Sequence, residues 1–429
     1  MRQNKMLPGV YTNFSVAQLS SASSRTGVIS LALALPWLAA KTMYRITKSI
    51  AEELYFYLGS AALPIKEALK NANEVLLYKL NAGTASAATI GNLTCTAANT
   101  GAFGNSISVI IAPVIGEDGY YYVSTYIGGN EYDRQKVMTA DQLQDNAWVV
   151  FTHSATGLTS TAGTTLTGGE DGTVTNADYI SYLETLELYD FNAIACVAES
   201  ADIKQLYIEF TKRLVNDEGR YFQCVVADEA ADFEAVISVK NGVILSDGSA
   251  VTKEIACAYI AGATASVDLS ASLTNSQYIG AVNVDTRYTT AQQTDIAQSG
   301  HILFIPELDN KVYIQKDINS LVTLSPERTE VYRKNKVIRT LFAIAAEIKR
   351  LGREQFIGKV SNTADGRNLF KSAVLVYFRQ LATKNIISDV SPEDITVTEG
   401  NASDNIILTY TVRPVDTIDI IYNTIVVSV

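Results

Sequence analysis

Histidine is almost absent from this 429-residue chain, which contains only His153 and His301. Histidine is the usual general base near neutral pH and the commonest protein ligand for metals. Its scarcity argues against a hydrolase triad and against a zinc site, while chemistry based on carboxylates stays open.

Cysteine is also scarce, and its positions argue against a redox or metal motif. Cys95, Cys196, Cys224 and Cys257 form no C-x-x-C pair, and three of them lie in apolar runs such as IACVA. Cysteine is among the most frequently buried residues, and disulfides require an oxidising compartment. We interpret all four as reduced core residues and expect folding in a reducing compartment.

Charge is sparse as well: charged residues make up 18% of the chain, and the net charge is −11. An acidic chain repels phosphate backbones, so we expect no nucleic-acid partner. The hydrophobic content of 47% is that of a globular protein, and the length predicts about two to four domains. The apolar run at 28–40 is too short to span a bilayer and contains Pro36. We interpret it as a buried strand of a cytoplasmic chain with no membrane insertion.

The motifs that usually mark cofactor and catalytic sites are missing. The chain has no P-loop, no G-x-G-x-x-G after a strand, no G-x-S-x-G and no H-E-x-x-H. No cofactor, metal ligand or catalytic residue is therefore predicted. An enzyme would have to use an unrecognised carboxylate site, for instance one directed at sugars.

The loop TLTGGEDGT at 165–173 is compatible with a phosphate cradle, a cation site or a turn of the chain. Glu170 and Asp171 would repel a phosphate, and the regular ligand spacing of a calcium loop is missing. Glycine adopts backbone angles that other residues resist. We therefore interpret Gly168, Gly169 and Gly172 as a turn at a domain junction.

The order of hydrophobic patterns predicts an α+β protein of several domains. Alternating strand and helix signals on both sides of a β-rich stretch predict an α/β core with a parallel-type sheet and a small inserted β domain. Two helical patterns followed by β runs predict a C-terminal α+β domain. The predicted regions are an N-terminal extended arm at 1–20, the core at 21–94 and 164–310, the insert at 95–163, the C-terminal domain at 311–415 and a C-terminal β arm at 416–429.

Two local predictions can be checked individually. The segment EAVISVKN at 234–241 has a helix-like pattern. Ser325, Pro326 and Glu327 supply an N-cap, a proline at the first helical position and an acid in the first turn. These signals predict that a long helix begins there.

The chain ends in the β-prone run IDIIYNTIVVSV at 418–429. An unpaired strand exposes backbone N–H and C=O groups, which proteins normally avoid. The run is therefore either an internal strand of its own domain or a strand that completes the sheet of a neighbouring chain. The N-terminal segment MLPGVYTNF at 6–14 is a second candidate for the same use.

One predicted helix is locally basic in this acidic chain. Residues 328–339 contain five cations and one acid. The pattern continues at Lys349, Arg350 and Arg353. Either the helix has an ordinary solvated face, or it contacts an acidic protein partner in a salt-sensitive way.

Several of these stretches, in this order, resemble the tail sheath proteins of contractile bacteriophage tails and phage-tail-like particles. The stretches are LPGVYTNF, LTGGEDGTVTNADYISYLETLELYDFNAIA, HILFIPELDNKVYIQKDINSL, RKNKVIRTL and VRPVDTIDIIYNTIVV. The resemblance covers nearly the whole chain, and the order of the motifs together makes it specific.

The resemblance implies a structural protein and not an enzyme. Sheath subunits stack as hexameric rings around an inner tail tube, between baseplate and tail terminator proteins, and contraction drives the tube through a cell envelope. The resemblance also implies assembly in the cytoplasm of a host bacterium, followed by a place in a virion tail or a released particle. A sheath-like component of a baseplate or secretion system is the related alternative.

The resemblance further implies roles for particular residues. In the family both terminal arms add strands to the sheets of neighbouring subunits. Contacts between subunits are thus expected at Pro8, Val10, Tyr11, Phe14, Ile418, Ile420, Tyr422, Ile425 and Val427. The C-terminal domain would lie near the tube, and the β insert would face outward. A tube contact through Arg333, Lys334 and Lys336 is our own addition, based on their charge.

Overall fold

The structure, a computed structural model, describes residues 26–427. Within these residues the chain forms a central α/β domain, a β-rich insert and a C-terminal α+β domain. The predicted fold class, a mixed multidomain protein with an interrupted α/β core, is confirmed.

The central domain begins around a strand that is buried on both faces. Its first elements are β1 (Val28–Leu33), β2 (Met43–Thr47), α1 (Lys48–Leu58), α2 (Leu63–Leu69) and β3 (Glu74–Lys79). β1 is buried along its whole length and pairs in parallel with β3. Strands covered on both faces carry continuous apolar runs, so the sequence VISLAL suits the centre of a parallel sheet.

The β insert consists of two antiparallel sheets. Its strands are β4 (Ala87–Ile90), β5 (Leu93–Ala97), β6 (Ile107–Pro113), β7 (Tyr121–Ile127), β8 (Asn130–Val137), β9 (Val149–His153) and β10 (Thr161–Thr165). The sheet orders are β4-β5-β9 and β10-β6-β7-β8. The insert starts before the predicted boundary at 95, because β4 pairs with β5 and so belongs to it. Gly91 and Asn92 form the two-residue turn between these strands and place Ile90 opposite Leu93.

The second half of the central domain completes the large sheet. Its elements are α3 (Asn176–Leu186), β11 (Ala193–Ala195), α4 (Ala201–Asn216), β12 (Gln223–Ala227), β13 (Val236–Val239), β14 (Val243–Leu245), β15 (Ala250–Val251), α5 (Lys253–Ser266), β16 (Ala281–Val284), α6 (Thr290–Gln298), β17 (His301–Ile302), β18 (Phe304–Pro306) and β19 (Val312–Ile314). Among the described residues this sheet has the order β17-β13-β12-β11-β1-β3-β2, and only β2 runs antiparallel to its neighbour. Helices α2 and α5 pack on one face, and α3 and α4 pack on the other.

The prediction of a helix at 234–241 is wrong. Residues 236–239 form β13, whose four side chains are buried and which pairs in parallel with β12 and β17. β-branched side chains such as Val236 and Ile237 fit a strand covered on both faces, so tertiary burial decides the conformation.

Helix α5 is absent from the sequence-based prediction. It is buried on all sides from Ala256 to Thr264, so it lacks the polar face that gives a surface helix its periodic pattern. Gly262 permits its close approach to α2, because a Cβ atom there would lie 2.4 Å from the carbonyl oxygen of Ala68.

The C-terminal domain has a separate small core. Its elements are α7 (Asn335–Leu351), α8 (Ala364–Thr383), β20 (Ile395–Glu399) and β21 (Ile406–Tyr410). Ile344, Phe378 and Ile395 join the two helices to the β20–β21 hairpin. The long helix begins at Asn335 and not after Ser325, since residues 330–333 form only a short 3-10 turn.

The predicted boundary at 310 lies inside a hairpin of the central domain. β18 and β19 pair antiparallel on either side of it. The backbone N–H of Tyr278 donates to the carbonyl of Val312 at 2.8 Å, so β19 is tied to central-domain residues. The C-terminal domain therefore begins later in the chain than predicted.

Two chain segments that run side by side join the insert to the central domain. Thr84 and Glu170 form an antiparallel bridge, with N···O distances of 2.8 and 3.3 Å. The buried side chain of Asn81 donates to the carbonyl of Asp171 at 2.6 Å. The connection is therefore a short paired ribbon and not two independent linkers.

Aromatic side chains from both domains fill the space beside this ribbon. Trp37 of the central domain stacks on Trp148 of the insert, with ring centroids 5.9 Å apart. The ring of Tyr57, on α1, lies 4.8 Å from that of Trp148. Aromatic pairs at these separations add to the energy of apolar burial, so the insert is packed against the central domain as well as tethered to it.

The glycines of the predicted junction turn lie in this ribbon. Gly168 and Gly172 have φ angles of +81° and +74°. A Cβ atom at Gly169 would lie 2.7 Å from the carbonyl oxygen of Gly101. On the opposite segment Gly83 has a φ of +61°, and a Cβ atom there would lie 2.4 Å from the carbonyl oxygen of Glu170. Positive φ and close backbone approach both require glycine here.

We expect Gly83→Ala to lower the free energy of unfolding by about 3 kcal/mol, because it combines a left-handed backbone with a backbone clash. The matched control is Gly168→Ala, which has a positive φ but open space around the new Cβ. It should cost about 1 kcal/mol. Urea unfolding of the three proteins measures the difference, and equal losses would contradict the close packing of the ribbon.

Candidate functional site: the C-terminal arm and its root

The C-terminal arm, residues 416–427 of the described chain, exposes a row of apolar side chains. Residues 420–427 form no helix or strand, and within the described chain they make no hydrogen bond or ion pair. The predicted contact residues Ile418, Ile420, Tyr422, Ile425 and Val427 are 83, 68, 91, 79 and 79% exposed. A contiguous exposed apolar surface of this kind marks an interaction site. The other predicted arm contacts, Pro8, Val10, Tyr11 and Phe14, lie outside the described residues.

An open sheet edge lies in the same domain. In the part of the chain that the structure describes, β21 pairs only with β20, and Ile406 and Ile407 on β21 are exposed. The unpaired backbone groups of an edge strand are a template for an additional strand, and a two-stranded sheet gains stability from a third. Among the described residues, the domain thus combines an exposed apolar segment with a strand edge that has no partner strand.

The first of the predicted tube contacts, Arg333, is occupied within the chain. Its Nη2 donates to the carbonyls of Ala297 and Gln298, both at 2.8 Å. These carbonyls lie in the last turn of α6, where helical C=O groups have no intrahelical partner. Arg333 therefore joins the start of the C-terminal domain to the central domain.

The other two predicted contacts, Lys334 and Lys336, hold the root of the arm. Lys334 forms an ion pair with Asp416, and its Nζ lies 3.6 Å from Oδ2 of Asp419. Lys336 is buried, which lowers its pKa, and its Nζ donates to the carbonyl of Val415 at 2.6 Å. The expectation that these cations are free for another protein is thus not met, and the tube contact stays a prediction. The acids at the start of the arm, opposite in sign to the basic helix, were the overlooked signal.

A buried polar network fixes the first turn of α7 to the central domain. Arg339 Nη2 donates to Oδ2 of the fully buried Asp317 at 2.9 Å. Asn335 Nδ2 donates to the other oxygen of Asp317 at 2.9 Å, and Gln223 Nε2 donates to Oδ1 of Asn335 at 3.1 Å. Burial alone would raise the pKa of Asp317, but the charge of Arg339 and the hydrogen bonds hold that pKa below its usual value.

A cationic cleft of about 730 Å³ lies at the opposite end of α7, between the C-terminal and central domains. Lys349 reaches across it, and its Nζ donates to the carbonyl of Gly219 at 3.1 Å. Arg353 is exposed and has no hydrogen bond or ion pair within residues 26–427. It lies in a π-helical turn, Gly352–Phe356, that extends α7. π-helical turns are frequent at functional sites, and the cleft lining holds five cationic side chains together with Asp190 and Glu354.

The two histidines lie in different domains. His301 Nδ1 is 2.8 Å from Oγ of the buried Ser238, and burial lowers the pKa of this histidine. His153 lies on β9 of the insert. Among the described residues no group of three or more His, Cys, Asp or Glu side chains is arranged to hold a metal ion. None of the described helices has the length and apolar character needed to cross a bilayer.

Three family models match consecutive parts of the chain. They describe the phage tail sheath protein beta-sandwich domain at residues 81–171, the phage tail sheath protein central domain at 172–320 and the phage tail sheath C-terminal domain at 327–428. The phage-like element PBSX protein XkdK of Bacillus subtilis (strain 168) is 33% identical over 453 residues, which span 98% of this chain and 97% of that protein.

Solved structures agree with these matches. The sheath tail protein of Desulfitobacterium hafniense is 39% identical and has a TM-score of 0.88, with 96% of this chain and 97% of that chain covered. The helical sheath of the anti-feeding prophage in its contracted state is 12% identical, with a TM-score of 0.57 and 99% of both chains covered. At that identity the second likeness concerns the fold alone.

The buried network generates a prediction about stability. Asp317→Asn leaves Arg339 buried without a counter-charge, and we expect it to lower the free energy of unfolding at neutral pH by about 3 kcal/mol. The folded-state pKa of Asp317 is depressed, so the contribution of the pair is fully present above the unfolded-state pKa, about 3.9. It is lost as the pH falls through the folded-state pKa.

Urea unfolding of the wild type and the variant between pH 7 and pH 3 measures this difference. The matched control is Glu399→Gln, which removes the partner of Arg367 in an exposed ion pair and should cost less than about 1 kcal/mol. A wild-type-to-variant difference that stays constant across the pH range would contradict the assignment.

Proposed function

Because the chain belongs to the phage tail sheath family, we propose that it assembles with copies of itself as stacked hexameric rings around an inner tail tube. Contraction of this lattice drives the tube through the envelope of a target cell. The observation that carries the proposal is the exposed apolar arm in a domain whose described sheet has an open edge. None of the three matching family models describes an enzyme.

Strand addition is the contact that we propose between subunits. The arm of one subunit lies along the free edge of β21 of a neighbour and extends its two-stranded sheet. Each main-chain hydrogen bond made in this way contributes about 1 kcal/mol, and apolar side chains of the arm become buried. The N-terminal segment at 6–14 supplies a second such strand.

This kind of contact suits a lattice that changes shape. A strand bound through its backbone stays attached while the rigid domains beside it rotate and repack. The described domains are well packed internally, with the insert held by a paired ribbon and by aromatic contacts. The energy of contraction is then stored in the lattice at assembly and requires no cofactor.

We assign the tube contact to the far end of α7. Its first turn is engaged within the chain, whereas Arg353 has no partner among the described residues and lies in a cationic cleft. The chain carries a net charge of −11, so a local cationic surface is a specific place for an acidic protein partner. In this arrangement the C-terminal domain lies near the tube and the β insert faces outward.

The other proposed partners and the location of the subunit follow from its place in a contractile tail. The lattice ends on a baseplate at one side and on a tail terminator protein at the other. Subunits assemble in the cytoplasm of the host bacterium and act in a virion tail or a released tail-like particle.

We expect deletion of residues 416–429 to leave a folded, soluble subunit that forms no tubes or stacked rings. The arm packs little within its own chain, so circular dichroism and the melting temperature should change only slightly. Negative-stain microscopy of the purified chain measures assembly. The control is Leu308→Ser, which removes an exposed apolar side chain at the β18–β19 hairpin tip and should assemble normally. Ordinary sheath tubes from the truncated subunit would refute strand addition.

We expect Arg353→Glu to weaken co-assembly with the inner tube about tenfold at low salt, since it places a carboxylate opposite an acidic partner. Polymerisation of the sheath without the tube should be unaffected. Lys384→Glu makes the same charge change at an exposed residue outside the cleft and serves as the control. Co-sedimentation across a salt series measures the effect, and equal behaviour of the two variants would exclude the cleft as the tube contact.

A further inference from the structure

The last residues before the arm are held against the subunit by its own backbone. The N–H of Ser388 donates to the carbonyl of Arg413 at 2.8 Å, and the N–H of Val415 donates to the carbonyl of Ile386 at 3.0 Å. Ile387 and Pro414 form an isolated antiparallel bridge between these bonds. The chain is therefore fixed as far as Val415.

Two lysines extend this hold to the first residues of the arm. Lys336 Nζ binds the carbonyl of Val415 at 2.6 Å, and Lys334 pairs with Asp416 and lies 3.6 Å from Asp419. Beyond Asp419 the described arm has no hydrogen bond or ion pair. The contacts thus end at Asp419, and every side chain from 420 to 427 is exposed.

The same helical turn is anchored on its other side in the central domain. Asn335 and Arg339 flank Lys336 and bind the buried Asp317. A lysine on a flexible surface would leave the arm free to swing, whereas Lys334 and Lys336 are attached to a turn that cannot move without breaking a buried ion pair. The direction in which the arm leaves is therefore tied to the central domain.

We propose that Lys334, Lys336, Asp416 and Asp419 form a latch that sets the exit direction of the C-terminal arm before it meets a neighbouring subunit. The proposal rests on the strand addition inferred above, and it adds a contact that orients the arm before strand addition takes place. A pre-oriented arm loses less conformational freedom on binding, so the latch raises the fraction of subunits that are competent to join the lattice. Because Lys334 and Asp416 are partly exposed to solvent, high salt weakens the latch.

The test compares the orientation of the arm with assembly. The variant Asp416→Asn/Asp419→Asn removes both carboxylates without changing side-chain shape, and Asp389→Asn/Asp404→Asn removes two exposed carboxylates elsewhere in the same domain as the control. Spin labels at Thr424→Cys and Ser372→Cys report the distance between arm and α8 in dilute, unassembled protein. The four native cysteines are buried and will not compete for the label.

We expect the latch variant to broaden the distance distribution and to slow assembly roughly tenfold, in proportion to the fraction of correctly oriented arms. The swapped pair Lys334→Asp/Asp416→Lys should restore both properties in part, which a loss of general stability would not allow. The control variant should match the wild type in both measurements.

Two results would overturn the latch: an unchanged distance distribution in the double-asparagine variant, or normal assembly by a subunit whose arm is demonstrably released. Failure of strand addition is distinguishable, because it would appear as normal assembly by the subunit lacking residues 416–429. The distance measurement needs no lattice, so it reports on the latch in either case.

Discussion

The attachment of α7 to the central domain depends on the buried ion pair between Asp317 and Arg339. This pair fixes the first turn of α7. The 3-10 turn just before this helix holds α6 through Arg333, and Lys334 and Lys336 hold the root of the arm. Two donors of Arg339, Nε and Nη1, find no partner within the described residues. Burying charged groups costs desolvation energy, and the geometry of this network holds α7 in one orientation.

A specified orientation matters for the proposed strand addition, because the arm is an exposed segment without helix or strand. An arm that swings freely samples many directions, and most of them do not meet a neighbour. The structure confines this freedom to the residues after Asp419, while the domains behind them are joined by buried polar groups and paired backbone. Flexibility and rigidity are thus separated along the sequence, as a lattice of moving rigid units requires.

Much of the fold could be predicted from the sequence because local pattern and burial agree there. The apolar run at 28–40 predicted the buried strand β1, and the two helical patterns of the C-terminal region correspond to α7 and α8. Prediction failed at two other fully buried segments, β13 and α5, which have no polar face to distinguish strand from helix. Their conformations are decided by neighbours far away in the chain.

The candidate site also has one part that could be predicted from the sequence and one part that could not. The arm could be predicted from its β-prone, apolar composition, because an unpartnered run of that kind has few uses. The role of Lys334 could not, since its partner Asp416 lies 82 residues away and the sequence presents only a cluster of cations. A basic stretch predicts an acidic partner, but it does not say whether that partner is another protein or the same chain.

The ribbon that joins the insert has a further consequence. Because Thr84 and Glu170 lie side by side, the insert enters and leaves the central domain at one point. The large sheet contains no strand from the insert, because β3 and β11, which precede and follow the insert in the chain, both pair with β1. The strand pairing of the large sheet therefore does not depend on the insert, which still packs on the central domain through Trp148.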